Sequence, residues 1–327
     1  MKKEVLTVLK KNKENFISGE QLSNQLDVSR TAIWKHINAL KEEGYKIESI
    51  PRKGYKLIEE PDILSREELL IELDSNRLGN DIYCFKTIDS TNNYGKKLAM
   101  DGAEEGTIVI SDEQTGGRGR LGRTWVSPNG SNIYMSMILR PAIYPSEAAK
   151  ITEITAAAVA NAIDKVTNLG VGIKWPNDII LDNKKICGIL TEMSAELNDI
   201  NYVIVGIGIN VNIHEFPEDI KDIATSIRMT LGGEVSRRKL VINIVKEFEK
   251  LYYDFIGTGS LKKTVDICKE RSVTLGKTVK IINKNTTMIA KAIDISQNGE
   301  LVIKKDDGEI INIISGEVSV RGIDGYV

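Results

Sequence analysis

Residues 172–192 read GIKWPNDIILDNKKICGILTE, and their pattern indicates the fold class of the middle of the chain. Apolar runs separated by Pro, Asn and Asp are typical of strands joined by turns. The stretch predicts a strand ending at Trp175, a turn over 176–178, and a hairpin with its tip at 182–183. By spacing alone, Lys174 and Lys185 are expected to be solvated, although a lysine aimed into a cleft would neutralise a carboxylate or phosphate. Asp178 would either bind Mg²⁺ or cap the turn.

The surrounding sequence predicts a mixed α/β domain over residues 65–270. Residues 146–166 repeat Ala, Ile and Val at helical spacing, while 132–139 and 202–211 are short apolar strand candidates. Within the second strand, VGIGIN at 205–210 places Gly206 and Gly208 on one face. Either a flat ligand lies against this bare backbone, with Asn210 facing an adenine edge, or the glycines are structural.

A second unusual segment is QTGGRGRLGRTW at residues 114–125. From Gly116 to Arg123 it holds four glycines, three arginines and no acid. Glycines let backbone N–H groups approach anionic oxygens, and guanidinium groups add charge and forked donors. The segment matches neither a Walker P-loop nor a dinucleotide fingerprint. It predicts an anion-binding loop, the alternatives being a flexible basic loop or an RGG-like RNA contact, which a single copy inside a folded domain disfavours.

Residues 18–58 predict a winged helix-turn-helix. Ser18 and Gln21 have the spacing of a capping box, and Ser29 caps a longer helix ending near Gly44. Residues 47–58 predict a hairpin with a basic tip. The alternative is a helical cap with a solvated cationic face, and Trp34 either contacts DNA or packs against a neighbouring domain. The candidate DNA contacts are Ser18, Arg30, Thr31, Trp34, Lys35, Asn38, Arg52 and Lys53.

Composition excludes collagen-like, disordered and fibrous classes. The 327 residues are 41% hydrophobic and 28% charged, enough for two or three compact domains. The net charge is −2, but residues 1–60 hold 12 Lys/Arg against 9 Asp/Glu, so the positive excess lies at the amino-terminal end. Cys84, Cys187 and Cys268 are expected to be buried free thiols. Without an apolar run of membrane-spanning length or a signal segment, we expect a cytoplasmic protein without membrane contact.

Residues 59–62 interrupt the periodic pattern and carry negative charge, which predicts a linker and a boundary near 61–65. After about residue 272, apolar and polar residues alternate, with turn residues at 298–299 and 307–308. This pattern predicts a small β-domain at the carboxy-terminal end. The expected organisation is therefore a winged helix over 1–62, an α/β domain over 65–270 and a β-domain over 272–327.

Several separated segments together resemble one protein family. They are STN at 90–92, GGRGRLGR at 116–123, KWPND at 174–178, KKICGIL at 184–190 and VGIGIN at 205–210. Their order resembles that of biotin protein ligases, and the winged helix resembles that of the bifunctional forms that also repress the biotin operon. The resemblance spans the chain. It implies a catalytic domain of the biotin/lipoate ligase type and an SH3-like barrel at the carboxy-terminal end.

The resemblance also implies site residues. Lys185, Arg118 and Arg120 would be the catalytic cations, and Asp178 would hold the metal. The biotin pocket would be formed by Ser90, Thr91, Asn92, Gln114, Arg118, Gly119, Arg120, Lys185 and Gly188. ATP or the adenylate would contact Arg123, Trp125, Lys174, Asn177, Gly206, Asn210 and Arg321, the last being equally compatible with an ordinary solvated arginine. Leu121 stands where some relatives carry another arginine, which puts the strength of corepressor coupling in question.

The implied activity is the AMP-forming ligation of biotin to protein, with ATP, Mg²⁺ and biotin as the small molecules. Biotinyl-5′-AMP forms first, and a lysine of a biotin carboxyl carrier protein then captures the biotinyl group. The adenylate would also act as corepressor. It would order residues 116–123, the glycine–arginine loop, and favour a homodimer that binds operator DNA of biotin genes. The alternatives are a ligand-sensing repressor without ligase activity and a lipoate-type ligase.

Overall fold

The structure is a computed structural model that describes residues 1–73, 77–283, 286–315 and 318–322. The chain divides into two compact units, Met1–Asp74 and Ser75–Val327. Within the described residues, the strands form a two-stranded, a seven-stranded and a five-stranded sheet. The final residues of the expected β-domain, 323–327, lie outside the described residues.

The first unit has the predicted winged-helix elements. Its helices are α1 (Lys2–Lys11), α2 (Gly19–Leu26), α3 (Arg30–Glu42) and α4 (Arg66–Glu72), and the antiparallel wing consists of β1 (Lys46–Ile50) and β2 (Gly54–Glu59). The Ser18–Gln21 capping box is present: Gln21 N–H donates to Ser18 Oγ at 3.0 Å and Ser18 N–H donates to Gln21 Oε1 at 2.9 Å. Ser29 caps α3 as predicted. Leu6, Leu22, Ile33 and Ile37 belong to one apolar core that joins the helices and the wing.

Helix α4 extends this unit beyond the boundary expected from the sequence. Glu68 and Leu69 are fully buried, and Glu68 accepts hydrogen bonds from Lys10 on α1 and from Tyr45 at the start of the wing. These contacts attach α4 to the winged helix, so the unit ends at Asp74 rather than near 61–65. The break in periodicity at 59–62 marks a loop inside the unit and not its end.

The seven-stranded sheet contains β3 (Ile82–Ile88), β4 (Ile108–Gln114), β5 (Ile133–Leu139), β6 (Gly172–Lys174), β7 (Asp178–Leu181), β8 (Lys184–Glu196) and β9 (Asp199–Ile209). Its strand order is β3-β4-β5-β9-β8-β7-β6. Strands β3 and β4 are parallel, whereas the other neighbours are antiparallel. The hairpin predicted at 182–183 joins β7 to β8, and Asp182 and Asn183 both have positive φ.

Helices α5 (Thr91–Met100), α6 (Ala148–Thr167), α7 (Ile227–Leu231), α8 (Arg237–Thr258) and α9 (Lys262–Glu270) complete the α/β part. The apolar face of α6 is buried, as its helical spacing predicts. Ser90 caps α5, so the amino-terminal end of this helix is held beside the ends of β3 and β4. The mixed α/β class expected from the sequence is confirmed.

The carboxy-terminal strands are β10 (Thr278–Asn283), β11 (Thr286–Ile295), β12 (Leu301–Lys304), β13 (Ile310–Ile313) and β14 (Val318–Gly322). They form an antiparallel sheet in the order β13-β12-β11-β10-β14. The turns predicted at 298–299 and 307–308 lie between β11 and β12 and between β12 and β13. Trp175 Nε1 donates to Gly299 O at 3.0 Å, which links this sheet to the segment that follows β6.

Cys187 and Cys268 are buried free thiols as expected, whereas Cys84 is only partly buried because it lies on the edge strand β3. Burial raises the pKa of both buried thiols far above the ordinary range. Among the residues that the structure describes, none of the helices combines the length and apolar character that a membrane crossing requires.

Candidate functional site

A narrow cavity lies between the start of α5, the glycine–arginine loop and the strand pair β8–β9. Its free volume is about 50 Å³. All nine residues that the sequence assigned to a biotin pocket contribute to its wall: Ser90, Thr91, Asn92, Gln114, Arg118, Gly119, Arg120, Lys185 and Gly188. Segments that are more than 90 residues apart in sequence therefore converge as the resemblance implied.

The polar side chains of this wall are held by one another. Gln114 Oε1 accepts from the Thr91 backbone N–H at 2.9 Å and lies 3.1 Å from the Thr91 hydroxyl, while Gln114 Nε2 donates to Ser127 Oγ at 3.2 Å. Ser127 is buried and donates to Trp125 O at 2.9 Å. These bonds fix the orientation of the Gln114 amide, because its oxygen and its nitrogen each face a partner of defined polarity.

The glycine–arginine loop is a tight turn fastened at several points. Gly119 N–H donates to Arg123 O at 2.7 Å, and Leu121 between them has a φ of 56° and is exposed. Arg120 donates to Asn177 Oδ1 at 2.8 Å and to Ser315 O at 2.9 Å, so the loop contacts both the turn after β6 and the carboxy-terminal part. Burial lowers the pKa of the Arg120 guanidinium, whereas nearby Asp178 opposes this effect. Arg118 and Arg123 are exposed.

A larger cavity of about 670 Å³ adjoins the narrow one. Six of the seven residues assigned to the nucleotide contribute to its wall, together with the residue assigned to the metal: Arg123, Trp125, Lys174, Asn177, Asn210, Arg321 and Asp178. The two cavities share Gly119, Arg120, Trp125, Asn177 and Lys185. Gly206, the seventh, lines the narrow cavity instead, because it lies on β9 opposite Leu190 and beside Asn92.

Lys185 lies at the junction of the two cavities. Its Nζ is 2.6 Å from Asp178 Oδ1, and it also lies over the Trp125 ring at 5.3 Å from the centroid. The expectation that Lys185 is solvated is therefore wrong, because a neighbouring strand places Asp178 against it. Asp178 forms this ion pair from the start of β7, so it is not limited to the turn cap considered from the sequence.

Lys174 is buried rather than solvated, which also corrects the expectation from spacing. Burial lowers the pKa of its ammonium to about 8, with Lys185, Arg321 and Arg123 adding to the decrease and Asp178 opposing it. A lysine enclosed with three other cations at a cavity wall favours an anionic ligand there, because such a ligand would relieve their mutual repulsion.

The bare face predicted on β9 is covered by side chains. A Cβ on Gly208 would lie 2.6 Å from Trp125 Nε1, and one on Gly206 would lie 2.2 Å from Asn92 Oδ1. The indole and the amide occupy the space over both glycines, which favours the structural role of the glycines over a ligand lying flat against them. Trp125 Nε1 is buried and finds no hydrogen-bond partner within the described residues. Asn210 instead donates to Thr225 O at 3.2 Å.

The sequence did not identify several other residues that line the two cavities. The apolar side of the large cavity is formed by Ile213, Phe216, Ile220, Ile223 and Ala224. They belong to an irregular segment after β9, where the sequence has no period to mark a buried face. In the narrow cavity, Leu190 and Ile207 flank Gly188 and Gly206. The apolar sequence around KKICGIL predicted only that these residues were in strands.

The winged unit carries a groove of about 870 Å³ between α3 and the wing. Six of the eight candidate DNA contacts line it: Ser18, Arg30, Thr31, Trp34, Asn38 and Arg52. Trp34 is 55% exposed. Lys35 and Lys53 are exposed but do not line the groove. Glu20, Lys41 and Tyr55 are additional lining residues.

The described residues contain no group of three or more His, Cys, Asp or Glu side chains that could hold a metal ion. Two carboxylates line the large cavity, that of Asp178 beside Lys174 and Lys185 and that of Asp219 on the irregular segment after β9. Mg²⁺ is often bound through one or two carboxylates together with substrate phosphates and water. The residues present therefore fit a magnesium ion held mainly by a nucleotide, and do not fit a site made by protein alone.

Three domain families match separate parts of the chain. Residues 2–56 match a helix-turn-helix domain family, residues 84–210 match the biotin/lipoate A/B protein ligase family, and residues 274–321 match the biotin protein ligase C-terminal domain. The biotin protein ligase from Aquifex aeolicus, solved in complex with biotin and ATP, superimposes with a TM-score of 0.66 at 32% identity, covering 74% of this chain and 99% of that one.

Curated relatives cover almost the whole chain. The bifunctional ligase/repressor BirA of Bacillus subtilis is 37% identical over 322 residues, 98% of each chain. BirA of Escherichia coli is 31% identical over 306 residues, covering 94% of this chain and 93% of that one. Because this similarity includes the winged helix, both cavities and the carboxy-terminal strands, the chain belongs to the family of bifunctional biotin ligase/repressors.

Proposed function

We propose that the chain forms biotinyl-5′-AMP from biotin and ATP, transfers the biotinyl group to a carrier lysine, and represses biotin genes when the adenylate is bound. The observation that supports this most directly is the pair of adjoining cavities with Lys185, Arg120 and Asn177 in their common wall. Biotin in the narrow cavity and ATP in the large one would bring a carboxylate and the α-phosphate together at these residues.

The chemistry requires charge stabilisation and alignment. The biotin carboxylate oxygen attacks the α-phosphorus, the bond to the bridging oxygen breaks, and pyrophosphate leaves. Negative charge accumulates on phosphate oxygens, where preorganised cations are most effective. Lys185 and Arg120 would supply that charge, with Arg118 closing over the linkage. Lys185 would exchange its ion pair with Asp178 for the phosphate, and its position on the Trp125 ring keeps the ammonium close during this exchange.

In the second step, the neutral ε-amine of the carrier lysine attacks the acyl carbon of the mixed anhydride and AMP leaves, while the amine releases a proton. The narrow cavity would hold the bicyclic rings of biotin in place so that the acyl carbon remains at the junction. Placing both reactants supplies much of the rate in such transfers, and a protein nucleophile is unnecessary. Neither His36 nor His214 is assigned a role.

Biotin is larger than the 50 Å³ now free in the narrow cavity. Binding would therefore move part of the wall, and the glycine–arginine loop is a candidate for this movement because Arg118, Leu121 and Arg123 are exposed. The Trp125 indole would shift with it and expose its unpaired N–H to the nucleotide. Mg²⁺ would bind the ATP phosphates with Asp178 as a protein ligand and neutralise the leaving pyrophosphate.

The proposal is tested by incubating the protein with biotin, ATP and Mg²⁺ and detecting the bound product by mass spectrometry. We expect biotinyl-5′-AMP and, after addition of a biotin carboxyl carrier domain, one added biotinyl group on its lysine. Lipoate in place of biotin is the matched specificity control. Absence of any adenylate would leave only a ligand-sensing repressor, and preference for lipoate would identify the other ligase type.

The repressor role rests on the groove of the winged unit. Its lining combines Arg30 and Arg52 with the neutral donors of Thr31 and Asn38, which is the composition expected for phosphate and base contacts in a major groove. A homodimer would place two such grooves on two half-sites. Operator DNA from a biotin gene, titrated with and without the adenylate, tests this role, and equal affinity in both conditions would contradict it.

A further inference from the structure

Glu192 lies on β8 next to the narrow cavity but is not part of its lining. Its Oε2 accepts a hydrogen bond from Asn92 Nδ2 at 2.8 Å, and its Oε1 is 2.6 Å from Lys96 Nζ. Asn92 is buried, whereas the side chains of Glu192 and Lys96 are 33% and 32% exposed. The carboxylate thus connects a buried amide of the cavity wall to an ammonium at the surface.

This contact determines which way the Asn92 amide faces. An ionised carboxylate only accepts hydrogen bonds, so Asn92 must direct its NH₂ group toward Glu192. The Leu190 carbonyl accepts from the same nitrogen at 3.3 Å. The amide oxygen then faces Ser136, whose Oγ is 2.6 Å away. The amide is also tightly enclosed, since a Cβ on Gly206 would lie 2.2 Å from its oxygen.

The orientation of the Asn92 amide sets the hydrogen-bond directions of the hydroxyl groups beside it in the cavity wall. Ser136 is buried, and its Oγ lies 2.8 Å from Thr91 Oγ1 as well as next to Asn92. Ser136 has one hydroxyl proton, and when it is directed to Asn92 Oδ1 the Thr91 hydroxyl donates to Ser136 Oγ, while Gln114 Oε1 keeps the hydrogen bond from the Thr91 backbone N–H. The network that begins at Glu192 therefore ends at the Thr91 hydroxyl. If Asn92 turned over, its NH₂ group would face Ser136, and the hydroxyls would have to reverse.

We propose that Glu192 is a positioning residue, which fixes the pattern of donors and acceptors that Asn92 and Thr91 present to the ligand of the narrow cavity. This inference rests on the proposed function, in which that ligand is biotin. A cyclic urea presents two N–H donors and one carbonyl acceptor in a fixed arrangement, so a pocket with the wrong polarity leaves buried groups unpaired. Lys96 supports the arrangement by holding the second carboxylate oxygen.

The test is Glu192→Gln, which keeps the shape of the side chain but allows either an oxygen or a nitrogen to face Asn92. We expect KM for biotin in adenylate formation to rise about 10-fold or more, while KM for ATP and kcat change less than about twofold. Glu196→Gln, which removes an exposed carboxylate from the same strand, is the matched control and should behave as the wild type.

A double-mutant cycle separates positioning from a general effect on folding. If Glu192 acts through Asn92, then Glu192→Gln should raise KM for biotin little further in an Asn92→Ala background. Wild-type KM for biotin in Glu192→Gln, or additive effects in the cycle, would overturn the inference. Equal increases in both KM values with a lower Tm would also overturn it, as evidence of a structural role. Failure of the wild-type protein to form biotinyl-5′-AMP would overturn the proposed function together with this inference.

Discussion

The side chain of Lys185 joins two cavities, and its removal should separate ligase from DNA-binding activity. Lys185→Ala deletes the ammonium that lies 2.6 Å from Asp178 and leaves that carboxylate facing the incoming phosphate. We expect adenylate formation to fall about 100-fold or more, as when a preorganised transition-state contact is lost, while operator binding without ligand is retained. Lys184→Ala is the control, since Lys184 donates to Lys221 O instead. A normal adenylate yield in Lys185→Ala would disprove the assigned role.

The lowered pKa of Lys174 leads us to expect that nucleotide binding depends on pH. Burial lowers its pKa to about 8, so the side chain is charged below that pH and neutral above it. KM for ATP should therefore rise above about pH 8, and Lys174→Arg, which stays charged, should show a flatter profile. The effect of pH on stability has the opposite direction. The native state binds the Lys174 proton less tightly than the unfolded state does. The contribution of Lys174 to the free energy of unfolding therefore increases as the pH rises from about 8 to 10.5. A wild-type KM for ATP that is constant across this range would contradict the prediction.

The strand pair β8–β9 supports the loop through its glycines. Gly188 and Gly208 are directly opposite each other, and the Trp125 indole packs on both. In Gly208→Ala, the new Cβ would displace the indole and with it the loop, at a cost typical of overpacking of about 1–3 kcal/mol. We expect adenylate formation to fall about 10-fold or more. Gly233→Ala, where the added methyl meets open space, should have little effect. Unchanged kinetics in Gly208→Ala would show that Trp125 can move freely.

At the level of elements, the sequence predicted what depends on local chemistry. The Ser18 and Ser29 caps, the hairpin at 182–183 and the helix over 146–166 were correct because caps, turns and apolar periods are encoded by neighbouring residues. The ion pair of Lys185 was missed because it depends on the register between β7 and β8, which shifts between Ile179 and Ile180. The burial of Lys174 was missed because it depends on segments distant in sequence, including those of Arg123 and Arg321. The family resemblance proposed nine biotin-pocket residues that line one cavity, whereas it did not point to Glu192 or to the apolar wall of the large cavity.

The packing of helix α4 into the first unit was also not predicted from the sequence. Its sequence follows a break in periodicity, yet Leu69 is fully buried in the first unit. Leu69→Ala should destabilise this unit by about 2–5 kcal/mol. Hydrogen–deuterium exchange should then become faster in α1–α3 of the full-length protein and stay unchanged in the seven-stranded sheet. Ile58→Ala, at a half-exposed position of the wing, is the control. Equal exchange in wild type and Leu69→Ala would place α4 outside the cooperative unit.

On the scale of the whole molecule, one chain contains a DNA-binding groove and a site that makes its own effector. Coupling between the groove and the catalytic site requires that the protein has two states and that the adenylate binds one of them more tightly than the other. In the proposed function, the exposed loop around Leu121 would change its surroundings when biotin enters the narrow cavity, and a dimer would be the state in which two grooves engage two half-sites.

We therefore expect biotin plus ATP to strengthen self-association about 10-fold or more, which corresponds to a coupling free energy of at least about 1.4 kcal/mol. Sedimentation equilibrium of the wild-type protein with and without the two ligands measures this change. Lys185→Ala, mixed with the same two ligands, serves as the control, because it should form little adenylate and its self-association should therefore stay near the ligand-free value. By thermodynamic reciprocity, operator DNA that binds the dimer should also strengthen retention of the adenylate by the same route. If self-association is equal in the presence and absence of ligands, the winged helix is not regulated by dimerisation, and the ligase and DNA-binding activities are independent.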